Sequence, residues 1–232
     1  MLFLNGPNNP SGMAYSRAEL RAIADVLLDY PDIMIMSDDI YEHIIFSDEK
    51  FTNILNIEPQ LYSRVVVVNG VSKSYAMTGW RIGYALGPVE LIKAMDNVQS
   101  QTTSNPNSIA QYASVAALNS GTISIKPMLE SFIQRHDYVH NRLNHMPGIK
   151  HIAADGAFYA FFDCTVIIDK LYTENKISAK TDVDLANYWL EKFLVAVVPG
   201  SAFGLNDHVR ISYATSIREL EIALDRIELS LN

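Results

Sequence analysis

A chain of 232 residues with 49% hydrophobic and 19% charged side chains is long enough to bury a substantial core and too apolar to be disordered. Its net charge of -8, without any basic run, excludes a nucleic-acid-binding surface and means that an anionic small molecule must be gripped by individual cationic side chains. The single cysteine, Cys164, excludes an internal disulfide and points to a reducing, cytoplasmic setting, while no apolar run is long enough to span a bilayer.

Met1-Leu2-Phe3-Leu4 is apolar but lacks the basic n-region and cleavage site of a signal peptide, and Leu2 to Leu4 reads as the end of a strand. A dense turn follows, Asn5-Gly6-Pro7-Asn8-Asn9-Pro10-Ser11-Gly12. From about Ser16 the spacing predicts a helix: Ser16 and Glu19 form a capping box, Leu20, Ile23, Ala24 and Leu27 make one apolar face, and Pro31 ends it. Ile33-Met34-Ile35-Met36 reads as a buried strand that delivers Ser37-Asp38-Asp39, and Val65 to Val68 as another that stops at Asn69-Gly70. Uninterrupted runs of this kind belong to strands covered on both faces by helices. Residues 81–87 suggest a further strand, Pro88 opens a helix to about Gln101, Ser104 to Asn107 breaks it, and helices are expected over 107–119 and 126–145.

Beyond Pro147-Gly148 the texture changes. Residues 156–163 form an aromatic strand, followed by Cys164, which reads as a semi-buried, unreactive thiol, and by a polar stretch near 173–182. A helix over about 182–192, the run Val195 to Val198, a turn at Pro199-Gly200, a strand at Val209 to Tyr213 and a final helix capped by Ser216 and Glu219 complete the chain. His136 and His140 lie four apart on a predicted helix, with His145 and His151 after them, but no Cys or carboxylate pattern completes a metal site, so none is expected.

Asn9, Asp38, Tyr41 and Lys73 all fall where apolar strands end, the edge at which open parallel sheets bind ligands. Each alone has a plain explanation: a turn residue, a helix cap, a core tyrosine, a solvated lysine. Their order along the chain says more. The segment Ser72-Lys73-Ser74-Tyr75-Ala76-Met77-Thr78-Gly79-Trp80-Arg81-Ile82-Gly83 resembles the lysine signature of the class I, aspartate-aminotransferase-like, pyridoxal-phosphate-dependent aminotransferases. Pro7 to Gly12, Ser37 to Glu42 and Val209 to Ala214 resemble three further motifs of that family in the family's order, so the resemblance covers essentially the whole chain.

The resemblance implies an α/β fold: part of a mostly parallel central sheet with flanking helices over 1–145, then a smaller α/β domain over 146–232. It implies pyridoxal 5'-phosphate as cofactor, with Lys73 as the catalytic, Schiff-base lysine, Asp38 paired with the pyridine nitrogen, Asn9 and Tyr41 bonded to the phenolic oxygen and Arg81 on the phosphate. Arg210 would hold the substrate α-carboxylate; its plain alternative is an edge-strand arginine lying over apolar neighbours. The reaction implied moves an amino group between an L-amino acid and 2-oxoglutarate. Met77 to Trp80 and Gln99 to Ser104 look most like the bacterial aspartate branch, with aromatic, alanine and prephenate specificities left open. A homodimer is implied for the complete protein.

Two departures stand out. Many members of the family carry a phosphate-binding Ser where Gly70 stands, and members begin well before the turn at Asn5 to Gly12; that earlier part would supply a phosphate loop and an aromatic ring over the cofactor. The isolated chain is therefore expected to bind the cofactor weakly and turn over little. A truncated, catalytically incompetent fragment or an interaction module of the same family is the rival reading.

Overall fold

The structure, a computed structural model, describes residues 1–47 and 50–231. It comprises two compact units, Met1–Asn8 with Met13–Leu129 and Asn9–Gly12 with Glu130–Asn232.

In the first unit, β1 (Leu2–Asn5) leads to α1 (Arg17–Asp29). The predicted capping box is present: Glu19 N–H donates to Ser16 Oγ at 3.2 Å, and Ser16 N–H donates to the Glu19 carboxylate at 2.8 Å. The last turn of α1 has no basic residue of its own. Arg64 serves instead: it donates to the carbonyls of Leu27 in that turn (2.5 Å), of the cap residue Tyr30 (2.7 Å) and of Ile33 beyond it (3.0 Å), adding to the backbone N–H that Leu27 and Tyr30 each accept. β2 (Ile35–Asp38), the short α2 (Ile54–Ile57), β3 (Val65–Gly70) and β4 (Gly83–Leu86) follow. β2 starts two residues later than the apolar run suggests, because Ile33 N–H is spent on a turn bond to the Tyr30 carbonyl.

The sheet order is β1-β2-β3-β4, with β1, β2 and β3 parallel and β4 antiparallel to β3. On one side Leu20, Ala24 and Leu27 of α1 pack with Leu4, Ile35, Val65, Ile54 and Leu61; a second cluster joins Val71, Ile82 and Ala110. Of the next helices, α4 (Ser108–Asn119) buries Ala110 and Ser114, whereas α3 (Val89–Thr102) buries no residue and leaves Val89, Met95 and Val98 exposed.

The second unit takes most of α5 (Lys126–His145), then β5 (Lys150–His151), β6 (Tyr159–Asp163), α6 (Thr165–Thr173), α7 (Asp182–Phe193), β7 (Val198–Pro199), β8 (His208–Ser212) and α8 (Ile217–Ser230). Its sheet, β5-β6-β8-β7, is antiparallel throughout. Trp189, Phe162, Leu143, Ile168, Leu171, Leu185 and Leu224 are its largest fully buried apolar side chains. The sequence reading has no counterpart to α6, whose buried Ile167, Ile168 and Leu171 make one helical face and whose first turn is held by Thr165 N–H donating to Asp163. Cys164, just past β6, is completely buried. Burial first, then the charges of Asp163, Asp182 and Asp207, push its thiol well above its ordinary range, so it is unreactive.

The imidazoles of His136 and His140 stack with centroids 6.0 Å apart, and His151 lies 5.2 Å from His140. Among the described residues no three His, Cys, Asp or Glu side chains are grouped to hold a metal. Burial, and then the proximity of His140, lowers the His151 pKa from 6.5 to about 4. The folded state therefore favours neutral His151, and its contribution is complete above pH 6.5 and lost as pH falls from 6.5 through 4. Urea unfolding at pH 7.5 and pH 4 is expected to show a loss on the order of 3 kcal/mol attributable to this group. In His151→Phe, whose ring keeps the contact with Phe162, that part of the pH dependence disappears. Equal pH dependence in the two proteins would refute it.

Candidate active site

Asp38 is the last residue of β2, in register with Asn5 of β1 and Val68 of β3, so it stands at the C-terminal edge of three parallel strands. Asn5 Nδ2 donates to its backbone carbonyl at 3.1 Å, and Ile40 N–H donates to its carboxylate at 3.2 Å, an Asx turn that orients the acid. The neighbouring acid, Asp39, has a different fate. Its N–H bonds the Val68 carbonyl at 3.0 Å, its side chain is buried, and Ser37 Oγ (2.7 Å) and Asn53 Nδ2 (2.6 Å) donate to it. Burial pushes the Asp39 carboxyl above its ordinary value, against the pull of those two donors. Asp39 is thus spent inside the protein, and half-buried Asp38 is the acid at the strand edge.

Lys73 lies in the turn after β3 and is half-buried rather than a solvated surface lysine. Its Nζ is 6.0 Å from the centre of the buried Tyr41 ring, at the outer range of a cation–π contact. Arg81 is exposed and left-handed, with φ of 56°, and its Nη1 donates to the Thr78 carbonyl at 2.9 Å within the same turn. Gly70 has a structural reason: a Cβ there would sit 2.8 Å from the Ile82 carbonyl oxygen, so no serine fits without a shift of the β3–β4 pair.

In the second unit, Arg210 Nη1 donates to Asn9 Oδ1 at 2.5 Å. The turn carrying Asn9 is anchored there because Asp155 N–H (3.1 Å) and Gly156 N–H (3.0 Å) both donate to the Gly12 carbonyl. Arg210 is not on an edge strand: β8 lies between β6 and β7, and Arg210 pairs with Phe161 on one side and Val198 on the other. Its guanidinium carbon is 4.5 Å from the Tyr159 ring centre and 5.0 Å from that of Phe203. Neither aromatic residue stands out in the sequence. The signal for Tyr159 is its place in the aromatic run, and that for Phe203 is its place in Pro199-Gly200-Ser201-Ala202-Phe203-Gly204, a stretch that resembles the family without giving the ring a role.

The structure thus brings Tyr41 beside Lys73 and Asn9 against Arg210, places Asp38 at the strand edge, and leaves Arg81 bonded to its own turn. The sequence pattern of the family "Aminotransferase class I and II" matches residues 1–227. The chain belongs to this family of pyridoxal-phosphate-dependent aminotransferases. It is 52% identical over 227 residues to an aspartate/prephenate aminotransferase of Nitrosomonas europaea, covering 98% of this chain and 57% of that one. It is 53% identical over 226 residues to an aspartate aminotransferase of Rhizobium meliloti, covering 97% and 55%. A crystal structure of the aspartate aminotransferase from Rhizobium meliloti superposes with a TM-score of 0.91 at 49% identity, over 99% of this chain and 57% of that one. The aromatic aminotransferase of Pyrococcus horikoshii gives 0.88 at 35%, over 99% and 59%. The chain therefore spans a little over half the length of these relatives. Among the described residues no helix is long and apolar enough to cross a membrane.

Proposed function

We propose that these residues serve an aminotransferase that moves an amino group from L-aspartate to 2-oxoglutarate, with pyridoxal phosphate held by Lys73, Asp38, Tyr41, Asn9 and Arg81 and the substrate α-carboxylate held by Arg210. The observation that carries the reading is the half-buried Lys73 amine beside the Tyr41 ring, in the turn that follows a parallel strand, with Asp38 ending the neighbouring strand. The donor set suits the group: an amine for its aldehyde, a carboxylate for its ring nitrogen, a phenol for its ring oxygen, a guanidinium for its phosphate. When bound, pyridoxal phosphate supplies an electron-withdrawing ring that stabilises negative charge at the substrate Cα.

Lys73 would take the proton from the substrate Cα and deliver it to the cofactor carbon that carried the aldehyde, which an amine does and a guanidinium does not. Asp38, whose carboxylate accepts the Ile40 N–H, would pair with the ring nitrogen. Arg210 takes the carboxylate with donors other than the Nη1 hydrogen already given to Asn9. The names of the relatives support aspartate as donor and add prephenate as a second acceptor to test.

The test is a single-turnover comparison. The chain with pyridoxal phosphate is mixed with aspartate, glutamate, alanine, phenylalanine or tyrosine, and conversion of the cofactor to pyridoxamine phosphate is followed against a Lys73→Ala blank. Aspartate is expected to convert it fastest, as the donor that the relatives' names carry. The chain by itself is expected to convert the cofactor slowly, so the order of the donors is what is read: alanine, phenylalanine or tyrosine converting it faster than aspartate would overturn the reading.

A further inference from the structure

We infer that Tyr159 and Phe203 are positioning residues for Arg210: their rings brace its guanidinium so that the donors not taken by Asn9 stay in one orientation. The inference rests on the reading of Arg210 as a carboxylate-binding residue, and the geometry behind it starts from the strand register. β6 and β8 pair antiparallel with Phe161 opposite Arg210 and Tyr159 opposite Ser212. Side chains on one face of a sheet repeat every two residues, so Tyr159 is the diagonal neighbour of Arg210 on the same face, within reach of a long side chain. The Tyr159 ring centre accordingly lies 4.5 Å from the guanidinium carbon, and Tyr159 is only 6% exposed.

Phe203 arrives from a different element. It ends a one-turn helix, Gly200–Phe203, that is itself fixed at its start. Gly200 is required by close approach: a Cβ would sit 2.4 Å from the Leu205 carbonyl oxygen and 2.7 Å from His208 Cβ on β8. Buried Asp182, the first residue of α7, accepts the Ser201 N–H at 2.5 Å. The Phe203 ring is then set edge-on against Phe161 at 6.3 Å, and 5.0 Å from the Arg210 guanidinium carbon. Two rings held by separate elements thus converge on one cation whose Nη1 is bonded to Asn9. Arg210 Nε is buried, and no hydrogen-bond acceptor reaches it among the described residues. The aromatic faces supply the attraction a guanidinium otherwise draws from water or a permanent carboxylate. No protein acid need occupy the donors a substrate carboxylate uses.

The test reads the guanidinium directly. The full 232-residue chain is labelled with 15N-arginine, and the Arg210 signal is assigned by its loss in Arg210→Lys. Rotation about the Cζ–Nε bond is measured without ligand, and the Nε–H shift is followed during titration with succinate. In the unaltered chain rotation is slow. Tyr159→Leu and Phe203→Leu are each expected to speed it about threefold to tenfold and to weaken succinate binding by a similar factor, the size of a cation–π contact. Tyr159→Phe, which keeps the ring, retains both properties, so a change in Tyr159→Leu is not mere loss of fold. Rotation unchanged in both leucine variants overturns the positioning role, whatever succinate does. Rotation that speeds up as expected, with an Arg210 signal that succinate never moves in the unaltered chain, supports the brace and overturns the carboxylate reading instead.

Discussion

Lys73→Ala is expected to abolish site-specific capture of pyridoxal phosphate. With one equivalent of cofactor, borohydride reduction and peptide mass analysis, the tag in the unaltered chain should fall mainly on the peptide carrying Lys73. The side chains of Lys93 and Lys150 are 66% and 80% exposed, their amines paired with Glu90 and Asp163, and are expected to receive only background label. Lys73 is half-buried, and its amine sits near the Tyr41 ring at the edge where β2 and β3 end. Lys73→Arg preserves the charge and most of the volume, yet is expected to fail equally, because a guanidinium neither forms the covalent link nor gives up a proton. Turnover by either variant should fall by at least about 10²–10⁴-fold from the lost proton transfer alone. A tag spread evenly over the lysines, and unchanged in Lys73→Ala, would sink the assignment.

The largest stability effect is expected at Trp189. It is fully buried on α7, and its Nε1 donates at 2.8 Å to Ser230 Oγ, which in turn donates at 2.5 Å to the Ile227 carbonyl on α8. Trp189→Ala therefore empties the largest side-chain volume in the second unit and strips a buried hydroxyl of its donor. A loss of about 3–5 kcal/mol is expected from the cavity, with roughly 1 kcal/mol more from the hydroxyl. Trp189→Phe keeps most of the packing and should lose about 1–3 kcal/mol. Calorimetric melting should show the two variants in that order, with the alanine variant lowered by well over about 10 °C. A shift of only a degree or two for Trp189→Ala would mean that α7 and α8 do not depend on this contact.

Wherever a local pattern encodes structure, the sequence is readable. The Ser16–Glu19 capping box lies within four residues, and the apolar face of α1 repeats at helical spacing, so the helix and its start follow from neighbours alone. The C-terminal end of α1 is different, because the cation that satisfies it, Arg64, lies 37 residues beyond Leu27. The strand order β1-β2-β3-β4 joins segments far apart along the chain, and the start of β2 is shifted by a turn bond that no periodicity reports. Helix α6 carries its signal in Ile167, Ile168 and Leu171, but an aromatic strand before it and a polar stretch after it mask so short a segment.

The candidate site divides in the same way. Residue type and order along the chain suffice to single out Lys73, Asp38, Tyr41, Asn9, Arg81 and Arg210, because the chemistry of a motif lies in contiguous residues. Which of two adjacent acids is left at the strand edge is decided by Ser37 and Asn53, which draw Asp39 inside. Whether Arg210 is a surface arginine or a held one is decided by strand order and by an acceptor 201 residues away, with two rings brought in by β6 and by the turn after β7. By itself the sequence determined the family and most of the helices and strands, and it singled out Lys73 as the candidate reactive lysine, since each depends on side chains close together along the chain. Only the tertiary structure decided which polar groups are spent on the fold and which stay oriented at its edge, because hydrogen-bond partners and aromatic neighbours are set by distance in space.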